Sequence, residues 1–600
     1  MNKFRARLAF VTIILVLGCG VVIHRLFTVQ VMERERYMKR SRDQTQQRRI
    51  VQANRGAITD RFGRTLAVSI DETMSIDPDV LGVKEPAMKK SAQVKRIYPL
   101  GDVAGSLLGY VGTDGYGLGG AELSFDGYLR GEDGWAILQK DGRNFRYRKI
   151  GLPEKAPRNG CDVALTVDIN IQKITQTVIR QAVTQLRAKS GMCIVMNPQT
   201  GSILAMVDEP SFNPNMPGRT PIAQRCNRCI GSVYEPGSTF KIVTASIALE
   251  EKIKYENDLI YGDNGSYRIY DQVIRDHKPY GYLTFAKAIT YSSNVCFAKV
   301  ANEIGNDKFY RYVRDFGFGT RTAIDLPGEE CGIVHPVKRW SGRTRVTMAI
   351  GQELSATLLQ MVLPFAAVAN GGVLVSPRIL EKVISPDGQT IDSGSYRPVR
   401  RVLSESVASR LRVMLQDVVD NGTGKKAAMA HIAVAGKTGT SQKPDSSGYS
   451  QTRSWSSFIG FVPANDPKLL CGVVIDEPAN DEMGGEAAAP IFKKIITQII
   501  SHPELEFAEE ILKSGTVTVS SPGLRVEATE GTDSCVTKTD AFNSLPDCIG
   551  KDVRDAVNIV NGCGVKPFVV GYGIVNRQVP LAGTKIAPAA SCTLFCATKG

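Results

Sequence analysis

The residues best suited to covalent chemistry lie at 234–241, Tyr-Glu-Pro-Gly-Ser-Thr-Phe-Lys. Pro and Gly end a loop there, and an apolar helical run begins at Ser238, which is therefore predicted to cap a helix. Residues three apart on a helix share a face, so the Lys241 amine can reach the Ser238 hydroxyl. This pairing would give a serine nucleophile its base without a histidine.

A lysine accepts a proton near neutral pH only when its pKa falls well below the ordinary value of about 10.4. Burial beside another cation can lower a lysine pKa by as much as about 3–5 pH units. The sequence therefore predicts a second lysine close to Lys241. Free N–H groups at the start of the same helix would stabilise an oxyanion that develops on an attacked carbonyl.

The segment Ser292-Ser293-Asn294 offers two further polar groups. Ser292 has a hydroxyl able to relay a proton to a leaving amine. The Asn294 amide can hold either a substrate carbonyl or Lys241 in place.

The segment Lys437-Thr438-Gly439-Thr440 follows an alternating, strand-like run at 431–435. Lys437 is the predicted second cation, and the hydroxyls of Thr438 and Thr440 can bind a terminal carboxylate. Gly439 would let another backbone approach closely, so that a peptide substrate adds to the sheet edge.

A Ser-x-x-Lys segment alone is common by chance, and its ordinary interpretation is a capped surface helix. The three segments together, in this order, favour a serine acyl-transfer site. A Ser-His-Asp hydrolase is disfavoured, because no Gly-x-Ser-x-Gly segment is centred on Ser238. His277, the histidine closest to these segments in sequence, is interpreted as structural.

Composition narrows the function classes. The formal net charge is +14, but residues 1–55 alone carry net +9, so the rest of the chain offers no extended basic face for nucleic acid. Cys226 and Cys229 have the Cys-x-x-Cys spacing of half a zinc site, but no second such pair follows. This favours buried thiols or a local disulfide over zinc. We therefore predict no metal and no cofactor.

The apolar run from Leu8 to Ile23 predicts a single transmembrane helix. A cleaved signal peptide is the main alternative, and Cys19 gives a weaker indication of a lipoprotein signal. The basic run between Arg34 and Arg49 would lie beside anionic headgroups. We predict an inner-membrane protein. Basic residues flank the helix on both sides, so the placement of the chemistry on the outer side is inferred mainly from the predicted function.

Five regions follow from the changes in composition and periodicity. The large body alternates strand-like runs at 163–167, 192–196 and 469–475 with helix-like runs at 241–251, 358–370 and 407–419. A helix pattern at 551–561 and two apolar runs predict a small α+β module at the end. The predicted regions are an anchor at 1–31, a stalk and β-rich pedestal at 32–160, an α/β body at 161–505, a linker at 506–543 and a terminal module at 544–600.

These segments resemble class B penicillin-binding proteins, and the resemblance covers nearly the whole chain. It implies a dimerisation-like pedestal and a transpeptidase domain with a serine β-lactamase-like fold. The matching segments outside the three already described are 55–67, 96–99, 119–122, 197–205, 350–352 and 357–360.

By this resemblance, Ser238 would attack the D-Ala–D-Ala bond of a peptidoglycan stem peptide, and an amine of a neighbouring strand would take the acyl group. Penicillins and other β-lactams would acylate the same serine. Hydrolysis of the acyl-enzyme, a D,D-carboxypeptidase side activity, is an alternative outcome of the same chemistry. The oxyanion donors would be the backbone N–H groups of Ser238 and Thr440. A polytopic SEDS-family glycosyltransferase and other divisome proteins would be partners.

The resemblance is to the division type, with an elongation or sporulation enzyme as alternatives. A β-lactamase or β-lactam sensor would use the same segments, and a non-catalytic divisome scaffold is a further alternative. The tail, from 545–550 to 578–583, resembles one PASTA module with a muropeptide-binding or docking role. Its Cys548 and Cys563 could pair with each other, or with Cys592 or Cys596.

Overall fold

The computed structural model describes residues 2–71, 94–143, 146–270, 272–445, 448–479, 484–502, 504–505, 544–571, 573–585 and 591–597. The predicted linker at 506–543 lies outside the described residues, so it stays a prediction.

The chain opens with helix α1, Asn2–Phe27, which passes through a π-helical turn, Thr28–Met32, into helix α2, Arg34–Thr45. The stretch Lys3–Met32 is 30 residues long and apolar enough to cross a membrane. At 1.5 Å per residue this exceeds the roughly 30 Å of a hydrocarbon core. The helix therefore fits a single-pass membrane anchor.

The pedestal begins with a small antiparallel sheet in which strand β1 pairs with β5, and β5 pairs with β6 and β7. A second sheet of six strands has the order β17-β16-β8-β2-β3-β4, so pedestal strands and strands of the large body form one sheet. The strands concerned are β1 Gln46–Val51, β2 Ile58–Thr59, β3 Thr65–Asp71, β4 Val94–Ile97, β5 Gly134–Lys140, β6 Arg146–Arg148, β7 Glu154–Lys155, β8 Asp162–Leu165, β16 Leu380–Ile384 and β17 Thr390–Ser393.

A buried ion cluster ties the pedestal together. The fully buried carboxylate of Glu122 accepts from Arg55 Nε and Arg96 Nε, each at 2.7 Å, and from the Tyr98 hydroxyl at 3.2 Å. Burial and the Glu122 charge raise the pKa of Tyr98, which keeps its hydroxyl a donor. The three short helices here are α3 Gly105–Leu108, α4 Gly120–Ser124 and α5 Asp126–Leu129. Glu122 lies on α4, and Arg55 also pairs with Asp126 of α5 at 2.6 Å.

The large body is built on a five-stranded antiparallel sheet with the order β10-β9-β21-β20-β19. Its middle strands are apolar without alternation because both faces are covered: Met192 and Ile194 face one core, and Cys193 and Val195 face the other. Strand β19 lies at the edge. The strands are β9 Ser190–Met196, β10 Ile203–Glu209, β19 Ala435–Asp445, β20 Gly448–Val462 and β21 Leu469–Asp476.

Helices α6 and α15 supply the core on one face of this sheet, and α8, α10 and α13 supply the core on the other. The helices are α6 Ile169–Gln185, α7 Arg228–Gly231, α8 Lys241–Glu250, α9 Phe285–Thr290, α10 Asn294–Ile304, α11 Asn306–Asp315, α12 Thr344–Ala349, α13 Leu358–Ala369, α14 Glu405–Asp420 and α15 Ala488–Ser501. Short two-stranded sheets flank them, formed by β11 Leu259–Tyr261, β12 Ser266–Ile269, β13 Gln272–Arg275, β14 Tyr282–Thr284, β15 Val373–Val375 and β18 Pro398–Arg401.

The six runs predicted in the body are confirmed as three strands and three helices, with ends shifted by up to two residues. The prediction for 431–435 was wrong in extent, because β19 begins only at Ala435.

The terminal module has one helix and a three-stranded sheet with the order β22-β24-β23, as the apolar runs predict. Leu545, Val560, Val575 and Leu594 form its core. The elements are α16 Val553–Gly562, β22 Lys566–Gly571, β23 Ile574–Val579 and β24 Ser591–Ala597.

We expect Glu122→Ala to lower the free energy of unfolding by about 3–5 kcal/mol, because it leaves buried arginines without their counter-charge. Urea denaturation of the detergent-solubilised protein measures this loss. The control is Glu132→Ala, which removes an exposed pair with Lys155 and should cost at most about 1 kcal/mol. Equal effects of the two variants would contradict the stabilising role of the cluster.

Candidate functional site

Ser238 lies in a 3₁₀ turn, Gly237–Phe240, that leads directly into α8. The prediction that Ser238 caps the helix was wrong, because no side chain caps this helix start. Residues three apart eclipse one another in a 3₁₀ turn. The predicted pairing nevertheless forms, with Lys241 Nζ 3.1 Å from Ser238 Oγ.

Three glycines let this turn fit between two other segments. Gly237 has φ +57°, and a Cβ there would lie 2.6 Å from the Thr440 carbonyl oxygen. Its N–H donates to the Gly351 carbonyl at 3.0 Å, and a Cβ on Gly351 would lie 2.0 Å from the Gly237 oxygen. A Cβ on Gly439 would lie 2.9 Å from the Pro236 oxygen. The backbone that approaches Gly439 closely is thus the serine turn itself. The addition of a peptide substrate to this sheet edge stays a prediction.

Lys241 is fully buried, and its amine contacts oxygens from two segments of the site. Besides Ser238 Oγ, Nζ lies 2.6 Å from the Ser292 carbonyl oxygen, 3.2 Å from Ser292 Oγ and 2.6 Å from Asn294 Oδ1. A neutral amine has two N–H donors and one lone pair. The two shortest contacts match the two donors, so the lone pair is left to accept the Ser238 proton.

Burial lowers the pKa of Lys241 to about 7, while the charges of Asp276 and Cys296 act in the opposite direction. The predicted second lysine is present, since buried Lys437 Nζ lies 2.9 Å from Ser292 Oγ. Its own pKa is lowered well below the ordinary value by burial and by Lys241. The expected cause was wrong in part, because desolvation is what lowers the pKa of Lys241.

Ser292 joins the two lysines. Its Oγ lies within 3.2 Å of Lys241 Nζ and 2.9 Å of Lys437 Nζ, and its backbone has the left-handed φ of +60°. Such a conformation is costly for a residue with a side chain, and it persists only where the surroundings enforce it. Here it turns the chain between α9 and α10, so that both Ser292 oxygens face Lys241.

Asn294 is oriented from both ends of its amide. Oδ1 faces Lys241, and Nδ2 donates to the Arg275 carbonyl at 2.8 Å. The next residue, Asp276, accepts from the backbone N–H of Asn294 and from the Ser293 hydroxyl. Sequence reasoning missed Asp276, because no spacing rule connects it to Ser292, and only its neighbour His277 drew notice.

The residues after Lys437 form the rim of the site on edge strand β19. The Thr438 hydroxyl is 2.7 Å from that of Thr423, and Thr440 Oγ1 accepts from the Gly484 N–H at 3.0 Å. Because Thr440 Oγ1 serves there as an acceptor, its proton can still donate to a carboxylate.

No group of three or more His, Cys, Asp or Glu side chains is placed to hold a metal ion among the described residues. Cys229 is a buried free thiol and Cys226 an exposed one, so the alternative of a disulfide between them is not realised. In the terminal module, Cys548, Cys563, Cys592 and Cys596 are also free thiols.

Comparisons with known proteins agree with this geometry. Residues 191–497 match the family model described as the penicillin binding protein transpeptidase domain. Stage V sporulation protein D of Bacillus subtilis is 33% identical over 82% of this chain and 74% of that protein. Penicillin-binding protein PbpB of Mycolicibacterium smegmatis is 34% identical over 71% of this chain and 68% of that protein.

Among solved structures, penicillin binding protein 3 of Mycobacterium tuberculosis complexed with ampicillin superposes with a TM-score of 0.67 at 31% identity. The match covers 79% of this chain and 98% of that chain.

We expect Gly237→Ala to slow acylation by benzylpenicillin by about 100-fold, because the added Cβ displaces Ser238 from its partners. Gly305→Ala is the matched control, since Gly305 has φ +84° but open space around it. Stopped-flow measurement of adduct formation compares the two. Similar rates in both variants would show that close packing does not position the turn.

Proposed function

Because this chain belongs to the penicillin-binding proteins and is a class B peptidoglycan D,D-transpeptidase, a serine acyltransferase, we propose that Ser238 is its nucleophile. The observation that supports this assignment is the contact between Ser238 Oγ and a buried amine whose pKa lies near 7. A base with that pKa is half neutral at the pH where it must work.

In the proposed acylation, the Ser238 oxygen attacks the carbonyl of the D-Ala–D-Ala bond as its proton passes to Lys241. The oxyanion is held by the backbone N–H groups of Ser238 and Thr440. When the tetrahedral intermediate collapses, the C–N bond breaks and the electron pair stays with the departing nitrogen. Ser292 Oγ then relays a proton to that amine, which leaves as D-alanine.

Transfer of the acyl group to the acceptor follows the same proton path in reverse. An amine of a neighbouring stem peptide enters where D-alanine left, loses its proton through Ser292 to Lys241, and attacks the ester carbonyl. The new amide forms, and Ser238 recovers its proton. Lys437 supports the relay, because its amine donates a hydrogen bond to Ser292 Oγ at 2.9 Å, where an alkoxide-like oxygen develops.

Edge strand β19 offers its free backbone groups to an extended stem peptide. Thr438, Gly439 and Thr440 lie along this edge, and we assign them to the terminal carboxylate and backbone of the substrate. A β-lactam carries a carboxylate and a strained amide in the same relative positions as the terminal carboxylate and scissile amide of the stem peptide. It therefore binds at the same edge and acylates Ser238.

We place the enzyme in septal wall synthesis during cell division. The pedestal and catalytic segments resemble those of the division type, and a SEDS-family glycosyltransferase with other divisome proteins would supply nascent strands. The α1 anchor then holds the catalytic body on the outer side of the cytoplasmic membrane. The terminal module, as a PASTA domain, would serve docking or muropeptide binding.

A sporulation role is the second candidate, because the relative named stage V sporulation protein D matches 82% of this chain. Depletion of the protein in its own cells separates the two roles. Filaments that fail to divide would support septal synthesis. Normal growth with loss of heat-resistant spores would support the sporulation role instead.

Treatment of the purified protein with benzylpenicillin should give one long-lived adduct, on the peptide that carries Ser238. Mass spectrometry of the digested protein locates it, and Ser238→Ala should give none. Rapid turnover of the drug would favour a β-lactamase. The absence of any adduct would favour a non-catalytic scaffold.

The acylation rate should rise with pH and level off above a midpoint near pH 7, because only neutral Lys241 can take the Ser238 proton. Below the midpoint we expect the rate to fall about tenfold per pH unit. Stopped-flow measurement of the acylation rate between about pH 5 and about pH 9 tests this. A rate that still rises above about pH 9 would indicate a base with the pKa of a solvent-exposed lysine, about 10.4, and would contradict a buried neutral base.

A further inference from the structure

The β12–β13 hairpin brings an acidic residue to the start of α10. The hairpin packs on this helix through a small separate cluster that includes Ile269, Ile274, Val295 and Ala298. Asp276 is the first residue after β13. The hairpin thus delivers Asp276 to the turn that carries Ser292 and Asn294.

Asp276 accepts three hydrogen bonds from that turn. Its Oδ1 binds the backbone N–H groups of Asn294 and, at 3.1 Å, Val295, and its Oδ2 accepts from the Ser293 hydroxyl at 2.7 Å. The first N–H groups of a helix have no partner within the helix, and a carboxylate there also interacts favourably with the helix dipole. The three bonds therefore fix both the position and the direction of the first turn of α10.

Hydrogen bonds through Asn294 connect the end of this hairpin to Lys241. The Arg275 carbonyl holds Asn294 Nδ2 at 2.8 Å, which leaves Oδ1 aimed at Lys241 Nζ at 2.6 Å. Ser292, with its left-handed backbone, directly precedes the three residues that Asp276 binds. A shift of this turn would move Ser292 Oγ away from both lysines.

We propose that Asp276 is a positioning residue for transpeptidation, which holds Ser292 and Asn294 in register with Lys241 through the first turn of α10. The inference rests on the proposed function, in which Lys241 is the base and Ser292 the relay. Asp276 does not itself contact the reacting atoms. Its charge also bears on Lys241 and opposes the effect of burial on that amine.

Among the residues that the structure describes, few titratable groups face this region. Lys437 on β19 and Cys296 on α10 lie near Lys241, and Asp276 also acts on Cys296 and on Tyr280. Burial is the main cause of the raised pKa of Cys296 and of Tyr280, so both are neutral near pH 7. Asp276 is thus the anionic group whose removal should change the titration of Lys241.

The test compares the acylation rate by benzylpenicillin of full-length Asp276→Asn and Asp276→Ala across pH. Asparagine keeps an acceptor for the two N–H groups, so its plateau rate should stay within about threefold of the unchanged protein, while its midpoint moves down by about one pH unit. Alanine loses all three bonds, and its plateau rate should fall about 100-fold. Asp263→Asn is the matched control, because Asp263 pairs with Lys299 on the same helix at 2.8 Å, and its midpoint should not move.

Two results would overturn the inference: an unchanged midpoint in Asp276→Asn, or a plateau rate in Asp276→Ala equal to that of the control. Thermal unfolding of each variant separates a lost fold from a displaced turn, and Asp276→Asn remains informative if the alanine variant is unfolded. Failure of the proposed function has a different signature. In that case the unchanged protein itself would form no adduct on Ser238.

Discussion

Burial of the Lys241 amine is the constraint on which the site depends. Within the described part of the chain, this amine has hydrogen-bond contacts with hydroxyl, carbonyl and amide oxygens but forms no ion pair. A charged ammonium in such a place costs several kcal/mol, about the amount that a lowered pKa removes by releasing the proton. Desolvation thus gives Lys241 the lowered pKa that its proposed role as a base requires. The same amine contacts Ser238, Ser292 and Asn294.

The rest of the body supplies rigid supports for that amine. Ser238 lies on a 3₁₀ turn that packs against β19, and Ser292 lies on a left-handed turn between two helices. Lys437 lies on the edge strand. Each segment comes from a different part of the chain, so the geometry is set by packing between elements rather than by local sequence. The glycines at the contact explain how two backbones approach closely enough to place the serine.

Much of the site could be predicted from the sequence, because the pairs Ser238–Lys241 and Ser292–Asn294 are local and their spacing is visible. The second lysine was expected on chemical grounds, and Lys437 occupies that position. Asp276 could not be predicted, because its role arises from hydrogen bonds to residues 17 to 19 positions away. The 3₁₀ turn was missed since Pro236 and Gly237 are compatible with either a capped helix or a tight turn. The six-stranded sheet that joins pedestal and body could not be predicted either, because hydrophobic periodicity indicates which segments are strands but not which strands pair.

The state of the Lys241 amine can be measured directly. Lysine-specific ¹³Cε labelling of the full protein, with the resonance assigned by its absence in Lys241→Arg, gives a titration curve by NMR. We predict a midpoint near pH 7, as expected for a buried amine without a counter-ion. A Lys241 resonance that stays in its protonated position up to about pH 9 or above would contradict a neutral base at the site.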